Sequence, residues 1–146
     1  MIHDAESLIQ AEEGRTNVAK RDTRGRPFIG IGHDDPALIP GVTRWTDAQV
    51  DAQFQADYTH ARDGIAHAWH GISGLDPVRC AYLVSMAFQL GVGGVLTFSR
   101  MLSAAQAGQW RAMHDAALAS DWHEQTPNRC NRAAMAFLTG QWQQIP

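Results

Sequence analysis

Apolar residues recur at helical spacing near the N-terminus. Leu8 and Ile9 would lie on one face of a helix that begins behind Asp4 as its N-cap. Gly14 can end this helix in the left-handed conformation, which a residue without a side chain adopts readily. Glu13 is therefore expected at the last position of the helix.

The longest predicted helix begins at Thr46 and runs to about residue 68. The segment Thr46-Asp47-Ala48-Gln49 has the form of a capping box, in which Thr46 and Gln49 satisfy each other's backbone N–H groups. Val50, Phe54 and Tyr58 then follow at four-residue steps and form one apolar stripe. This pattern predicts a helix that packs on the rest of the protein along a single face.

A second long helix is predicted from Pro77 to Leu90, with Asp76 as its N-cap. Residues 78–90 are apolar nearly all round, which indicates the buried centre of a helical lobe. Glycines at positions 91, 93 and 94 are expected to stop this helix. Shorter helices are predicted at residues 99–107, 109–119 and 127–140.

Between the first helix and the long one, the pattern is typical of a small sheet. It predicts a turn at Asp22–Gly25 and a short strand from Phe28 to His33. Alternation would place Phe28, Gly30 and Gly32 on one face of that strand. The two glycines would then leave the backbone bare for binding a flat, polyhydroxylated substrate. Alternatively, they only permit a bulge or a tight bend.

These elements predict an α+β fold with two lobes and a cleft between them. The sheet lobe is expected at about residues 13–45 and the connecting helix at about 46–68. The helical lobe is expected at about 76–146, together with residues 1–12. A cleft between lobes is the natural place for a long substrate.

Composition narrows the classes of function. The 146 residues, of which 45% are hydrophobic and 18% charged, are typical of one globular domain. The net charge of −3 provides no basic surface for nucleic acid and no strong attraction to an anionic cell wall. No apolar run approaches the roughly 18 residues of a membrane span. The start, Met1-Ile2-His3-Asp4, does not resemble a signal peptide, so we expect synthesis in a cytoplasm.

The two cysteines, Cys80 and Cys130, lie far apart without metal-ligand spacing around them. We expect structural thiols, with a disulfide as the alternative.

The candidate chemistry lies in two carboxylates, Glu13 and Asp22, near the glycine-bearing strand. Cleavage of an acetal bond needs a proton donor for the leaving oxygen and a negative group across the sugar ring, and two carboxylates supply both. Taken alone, two such acids are more often solvated surface groups. The order of the motifs Glu-Gly, Asp-Thr-x-Gly and Gly-Ile-Gly-His favours the functional interpretation.

This order of motifs resembles the catalytic segment of the phage-type lysozymes, glycoside hydrolase family 24. Other segments resemble motifs of the central and last helices of that family: Met86–Gly91, Trp122–Arg129 and Thr139–Trp142. The likeness covers roughly residues 2–33 and 76–142. It implies a lysozyme-like fold and bacterial peptidoglycan glycan strands as the substrate; no cofactor and no metal are expected.

The resemblance implies that Glu13 is the general acid. It would protonate the oxygen of the β-1,4 bond between N-acetylmuramic acid and N-acetylglucosamine. Asp22 would stay ionised and either stabilise the oxocarbenium-like transition state or help to activate water. Arg129 would pair with Glu13 or with Glu12 and hold the carboxylate in position. Because this cation favours ionised Glu13, burial has to outweigh it if Glu13 is to hold a proton.

Four other residues match family positions. Phe88 and Gln89 match residues that line the cleft from the helical lobe, although Phe88 is equally well explained as core. His33 matches a histidine that pairs with an acid on the long helix, and Asp57 is the matching acid. We expect the pair His33–Asp57 to be structural rather than catalytic.

Phe28 departs from the family, which places a threonine there whose hydroxyl helps to position the attacking water. Phenylalanine can neither donate nor accept that hydrogen bond. Asp22 and another polar group, such as Thr23, could hold the water, so that hydrolysis persists. Alternatively, Asp22 or a sugar hydroxyl attacks, which favours retention or transglycosylation. In a third interpretation the chain binds glycan without cutting it, with Phe28 stacked on a sugar ring.

The expected biological role is that of a monomeric phage endolysin. It would be made in the host cytoplasm, released by a separate holin and active on the periplasmic cell wall. Two alternatives stay open: a catalytically silent glycan-binding module of a virion or antagonism system, and an antibacterial effector with the same enzyme chemistry. Presence of both Glu13 and Asp22 favours an enzyme, whereas the missing threonine favours a binding module.

Overall fold

The long helices begin and end where their capping residues predict. The computed structural model describes all 146 residues, and its first three helices are α1 (Ala5–Glu13), α2 (Asp47–Ala68) and α3 (Pro77–Leu90). Asp4, Thr46 and Asp76 are their N-caps, and each side chain accepts a hydrogen bond from the backbone N–H three residues further on. These predictions are confirmed, because local hydrogen bonds determine the helix starts.

Five more helices follow, together with one 3-10 helix at His70–Gly74. They are α4 (Val92–Leu96), α5 (Ser99–Gln106), α6 (Trp110–Leu118), α7 (Asp121–Gln125) and α8 (Pro127–Thr139). The sequence pattern did not predict α4 or α7. Gly91 ends α3 at a φ of 78°, but the glycines that follow still accommodate one short helix. None of the helices combines the length and the apolarity needed to cross a membrane.

The sheet has three antiparallel strands in the order β1-β2-β3. They are β1 (Thr16–Arg21), β2 (Pro27–Gly30) and β3 (His33–Asp34). The predicted turn joins β1 to β2, where the Asp22 N–H donates to the Arg26 carbonyl at 2.8 Å and the Gly25 N–H donates to the Asp22 carbonyl at 2.9 Å. The turn therefore holds Asp22 at the end of a strand.

The prediction of one strand from Phe28 to His33 is wrong, because the chain reverses inside it. Gly30 and Gly32 have φ values of 67° and 66°, in the left-handed region, and Ile29 pairs with His33 across the resulting hairpin. The predicted common face of Phe28, Gly30 and Gly32 does not form. The alternative, that the glycines permit a tight bend, is confirmed.

Two apolar clusters support the fold. The larger has 28 buried residues from the helices and neighbouring loops, including fully buried Leu83 on α3 and Phe137 on α8. A smaller cluster lies under the sheet and consists of Ala19, Ile29 and Leu38. Trp45 packs against both clusters and connects them. The sheet is thus anchored on its own small core, next to the helical one.

Arg79 is a buried cation that ties α3 to the end of α8. Its guanidinium forms an ion pair with Asp76 at 2.9 Å and donates to the carbonyls of Phe137 at 2.7 Å and Leu138 at 3.3 Å. It also lies 3.8 Å from the centre of the Trp110 ring. Desolvation raises the pKa of Asp76, but the hydrogen bonds from Arg79 outweigh it and the pKa is lowered.

Both cysteines are free thiols, so the expected structural thiols are present and the alternative disulfide is absent. Cys130 is fully buried and its Sγ donates to the Ala117 carbonyl at 3.3 Å. Burial raises the pKa of the Cys130 thiol to about 11.

The two ends of the chain are joined by one side chain. The Gln144 amide accepts a hydrogen bond from the Ile2 N–H at 2.8 Å and donates one to the Ile2 carbonyl at 2.9 Å. The side chain of Gln144 therefore pairs with Ile2 much as a neighbouring strand would.

Candidate active site

One cleft of about 670 Å³ brings the sheet and the helices together. Its sheet side is formed by the turn after β1 and by the β2–β3 hairpin. Its other side is formed by the end of α1, the end of α3, and the start of α8. Seven of the ten predicted site residues line this cleft: Glu13, Asp22, Phe28, Gly32, Phe88, Gln89 and Arg129.

Glu13 is the last residue of α1, as predicted, and its carboxylate is held from two sides. Arg129 on α8 donates from Nη1 to Oε1 of Glu13 at 2.7 Å. On the other side Glu13 lies directly against Gly32, where an added Cβ would be 2.7 Å from Oε2. Because Gly32 has no side chain, the Glu13 carboxylate can lie at this depth, with 18% of its side chain exposed.

Arg129 is itself fixed in place. Only 10% of its side chain is exposed, and Nη2 donates to the hydroxyl of Ser85 on α3 at 3.1 Å. The guanidinium thus connects α1, α3 and α8 at the base of the cleft. Of the two predicted partners, Glu13 is the direct one, while Glu12 lies 3.9 Å from Nε of Arg129.

Glu12 has a different partner, Arg132, which the sequence analysis missed. Arg132 donates from Nε to Oε1 of Glu12 at 2.8 Å and from Nη2 to Oε2 at 2.7 Å. The side chain of Glu12 is only 3% exposed, so the bidentate pair compensates a buried charge. The spacing was an available signal, because Arg129 and Arg132 lie three residues apart on one helix and Glu12 and Glu13 are adjacent.

Asp22 occupies the turn on the sheet side of the cleft. Its Oδ1 accepts from the backbone N–H groups of Arg24 and Arg26, each at 2.9 Å, and Nε of Arg26 donates to Oδ2 at 3.3 Å. The hydrogen bond from the Arg26 N–H is the main cause of a lowered pKa of Asp22; desolvation opposes it and the bond from Arg24 supports it. Asp22 is therefore ionised at neutral pH, as the prediction required.

Phe28 lines the cleft and packs against neither of the two apolar clusters. Its half-buried ring is therefore not part of the core, and it faces the space that a substrate would fill. Thr23, the predicted alternative for holding water, also lines the cleft beside Asp22.

Phe88 and Gln89 form part of the helical side of the cleft. Phe88 also packs on the main core, with its ring centre 5.9 Å from that of Phe54, so both predicted interpretations apply to it. The Gln89 amide accepts from Nε1 of Trp122 at 3.0 Å and donates to the Thr126 hydroxyl at 3.2 Å. One N–H of Gln89 and one carbonyl lone pair remain for a ligand.

Three predicted residues lie away from the cleft lining. His33 and Asp57 form the predicted pair, with 2.7 Å between Nδ1 and Oδ2, and Gln53 donates to the other oxygen of Asp57 at 2.9 Å. Gly30, which was expected to offer bare backbone to the substrate, instead packs near Trp45. The reason is the hairpin, which turns Gly30 toward the interior.

Asp34 is a fourth acid in the cleft, which the sequence pattern did not predict. It lies on β3 directly opposite Phe28 on β2 and is accessible to solvent. Desolvation by the cleft walls raises the pKa of the Asp34 carboxyl, and Arg26 partly offsets that effect. Only the register of the hairpin reveals this placement, because the predicted single strand would have put Phe28 and Asp34 far apart.

The fold and the cleft define a lysozyme-like α+β protein in which a carboxyl group lies on each side of a long groove. The sequence model of the phage lysozyme family matches residues 10–134, and the chain belongs to that family. This membership supports a lysozyme-like glycosidase function.

Curated relatives agree with the family match. The chain is 33% identical to "Pre-baseplate central spike protein Gp5" of Enterobacteria phage T4, over 91% of this chain and 27% of that protein. The chain therefore spans about a quarter of the length of that relative. It is also 27% identical to "Probable T4-type lysozyme 1" of Dictyostelium discoideum, over 96% of each chain, and 24% identical to "Probable T4-type lysozyme 2" of the same organism, again over 96% of each.

Proposed function

We propose that this protein hydrolyses the β-1,4 bond between N-acetylmuramic acid and N-acetylglucosamine in bacterial peptidoglycan. The observation that carries the proposal is the fixed position of Glu13, between the Arg129 guanidinium and the bare backbone of Gly32, in the same cleft as Asp22. Glu13 donates its proton to the leaving oxygen. Asp22, ionised by its hydrogen bonds, stabilises the positive charge that develops on the sugar ring.

The size and form of the cleft support a polymeric substrate. It is open to solvent and lined mostly by polar residues, which suits a hydroxyl-rich chain more than a small apolar ligand. Its eight charged residues comprise four acids and four arginines, so it has no uncompensated positive stripe for nucleic acid.

The decisive experiment measures release of reducing ends from purified peptidoglycan. Glu13→Gln keeps the size of the side chain but cannot donate the proton, so its activity should fall to background. Glu6→Gln is the matched control, because Glu6 lies on the same helix outside the cleft lining and should keep wild-type activity. If the wild type is as inert as Glu13→Gln and only Phe28→Thr is active, the enzyme proposal is wrong.

One observation favours a second candidate function, glycan binding with altered or no cleavage. The Phe28 ring lines the cleft and belongs to neither apolar cluster, so it can stack on a sugar and displace water. Mass analysis of the products separates the candidates: new reducing ends with one added water indicate hydrolysis, whereas longer or anhydro products indicate transfer between sugars. Binding to peptidoglycan without products would support the silent module.

We further propose that the protein acts as a monomeric endolysin on the periplasmic wall after holin-mediated release from a host cytoplasm. Membership of the phage lysozyme family supports this role, and the antibacterial effector remains its competitor. Expression in a Gram-negative bacterium with and without a holin tests it. Lysis should require both proteins, whereas lysis by the protein alone would contradict the need for a holin. Light scattering on the purified protein tests the monomer.

A further inference from the structure

The fourth acid of the cleft, Asp34, lies on the sheet side, across from the helices. Directly opposed residues in an antiparallel pair have Cβ atoms about 5 Å apart and project from the same face. Asp34 opposes Phe28, and both residues line the cleft. The Asp34 carboxylate therefore lies beside the Phe28 ring, where Phe28 itself offers no hydrogen-bonding group.

Asp34 is the one acid of the cleft without a partner inside the protein. The other three acids are paired with arginines: Glu12 with Arg132, Glu13 with Arg129, and Asp22 with Arg26. No hydrogen bond within the chain contributes to the titration of Asp34. A carboxylate that faces a substrate cleft with both oxygens free is available to bind a water molecule.

The charges around Asp34 keep it basic. Asp22 in the turn and Asp57 on α2 raise the pKa of Asp34, in addition to desolvation, while Arg26 in the turn and neighbouring His33 lower it. The balance is a raised pKa, in contrast to the lowered pKa of Asp22. Of the two acids on the sheet side, Asp34 is thus the stronger base.

Glu13 and Asp34 also lie close to one segment of the cleft. The carboxylate of Glu13 lies against Gly32, and Asp34 follows two residues later along the chain. The Cα atoms of Gly32 and Asp34 are therefore at most roughly 7 Å apart. As acid and base of an inverting reaction, Glu13 and Asp34 need carboxyl groups about 6.5–9.5 Å apart, which leaves room for the attacking water.

We propose that Asp34 is the general base of the reaction, an inference that rests on the proposed hydrolysis. Asp34 accepts a proton from the attacking water while the water oxygen bonds to the anomeric carbon. The bond from that carbon to the glycosidic oxygen breaks, and the leaving oxygen takes the proton of Glu13. The products are a hemiacetal of inverted configuration and an alcohol, and Asp22 stays ionised throughout.

The test compares the wild type with Asp34→Asn, Asp34→Ala, Asp35→Asn and Glu13→Gln on purified peptidoglycan. Asp35→Asn is the matched control, because it removes the neighbouring negative charge from a residue outside the cleft lining. We expect Asp34→Asn to lower kcat about 10²-fold or more with little change in KM. The residual kcat/KM of Asp34→Asn should persist to lower pH than that of the wild type. In this variant Asp22, whose pKa is lowered, is the acid whose protonation on the sheet side limits activity.

Rescue by azide distinguishes a general base from a residue that only supports the structure, because azide could not restore activity if Asp34 were merely structural. Azide attacks the anomeric carbon without losing a proton, so it should restore bond cleavage in Asp34→Ala and yield a glycosyl azide, but it should not rescue Glu13→Gln. The proposal is overturned if Asp34→Asn keeps wild-type kcat and pH profile while Glu13→Gln is inactive, a result that leaves the proposed hydrolysis intact. An inert wild type would overturn both.

Discussion

Gly32→Ala tests whether the backbone of the hairpin determines the position of Glu13. The new Cβ would lie 2.7 Å from Oε2 of Glu13 and 2.9 Å from its Cδ. Ordinary contacts of a Cβ atom begin at 3.4 Å, so the carboxylate has to move by about 0.7 Å. A displacement of about 1 Å at a reacting group can reduce the rate about 10²-fold. We therefore expect a loss of activity approaching that value.

Gly30→Ala is the control that isolates this effect. Gly30 has a φ of 67°, almost the same as the 66° of Gly32, so both alanines adopt an equally strained backbone. The strain should lower the free energy of unfolding by about 1–2 kcal/mol in each variant. At Gly30, however, the nearest atom to the new Cβ is Cγ1 of Val50 at 3.5 Å, which is an ordinary contact.

The assay pairs urea denaturation with release of reducing ends. Both variants should lose similar stability, and Gly32→Ala alone should lose most of its activity. The reasoning would be refuted if the two variants were equally active per folded molecule, because Glu13 would then not depend on the space at Gly32.

Three other substitutions or probes test the supporting structure. Glu12→Gln leaves Arg132, whose side chain is 26% exposed, without its carboxylate partner. Urea denaturation should therefore show a loss of about 1.5–3 kcal/mol in the free energy of unfolding, and an unchanged midpoint would contradict the role of the pair. Because the pKa of Asp76 is lowered in the folded protein, its ionised carboxylate stabilises the fold at pH values above the unfolded pKa of about 3.8. This stabilisation disappears as the pH falls through the pKa of the folded state. The difference in thermal midpoint between the wild type and Asp76→Asn should therefore be present at neutral pH and shrink in acid; a constant difference would disprove it. The buried Cys130 should resist thiol reagents at pH 8 until the protein unfolds, and prompt labelling of Cys130 in the native protein, located by mass spectrometry, would contradict its burial.

The long helices were predictable because their determinants are local. Thr46 and Gln49 lie within one turn and cap α2 regardless of the rest of the fold. The same holds for Asp76 and α3. The motifs around Glu13 and Asp22 likewise identified the family and the two sides of the cleft before any contact was known.

The hairpin was not predictable from alternation, because a glycine is compatible with an extended strand and with a reversal. The pairing of Ile29 with His33, and the burial of Ile29 in the small cluster under the sheet, decide between the two. The placement of Asp34 opposite Phe28 depends on that same register. Partners separated by 120 residues, such as Glu12 and Arg132, likewise follow only from the assembled fold.

The pairing of Gln144 with Ile2 has a consequence for how this domain can be connected. Because Ile2 and Gln144 meet at one point of the surface, a polypeptide can enter and leave the domain there without disturbing the rest of the fold. A short linker between the termini, with new ends opened in the exposed turn around Gly108 between α5 and α6, should give a circular permutant that keeps the cleft intact.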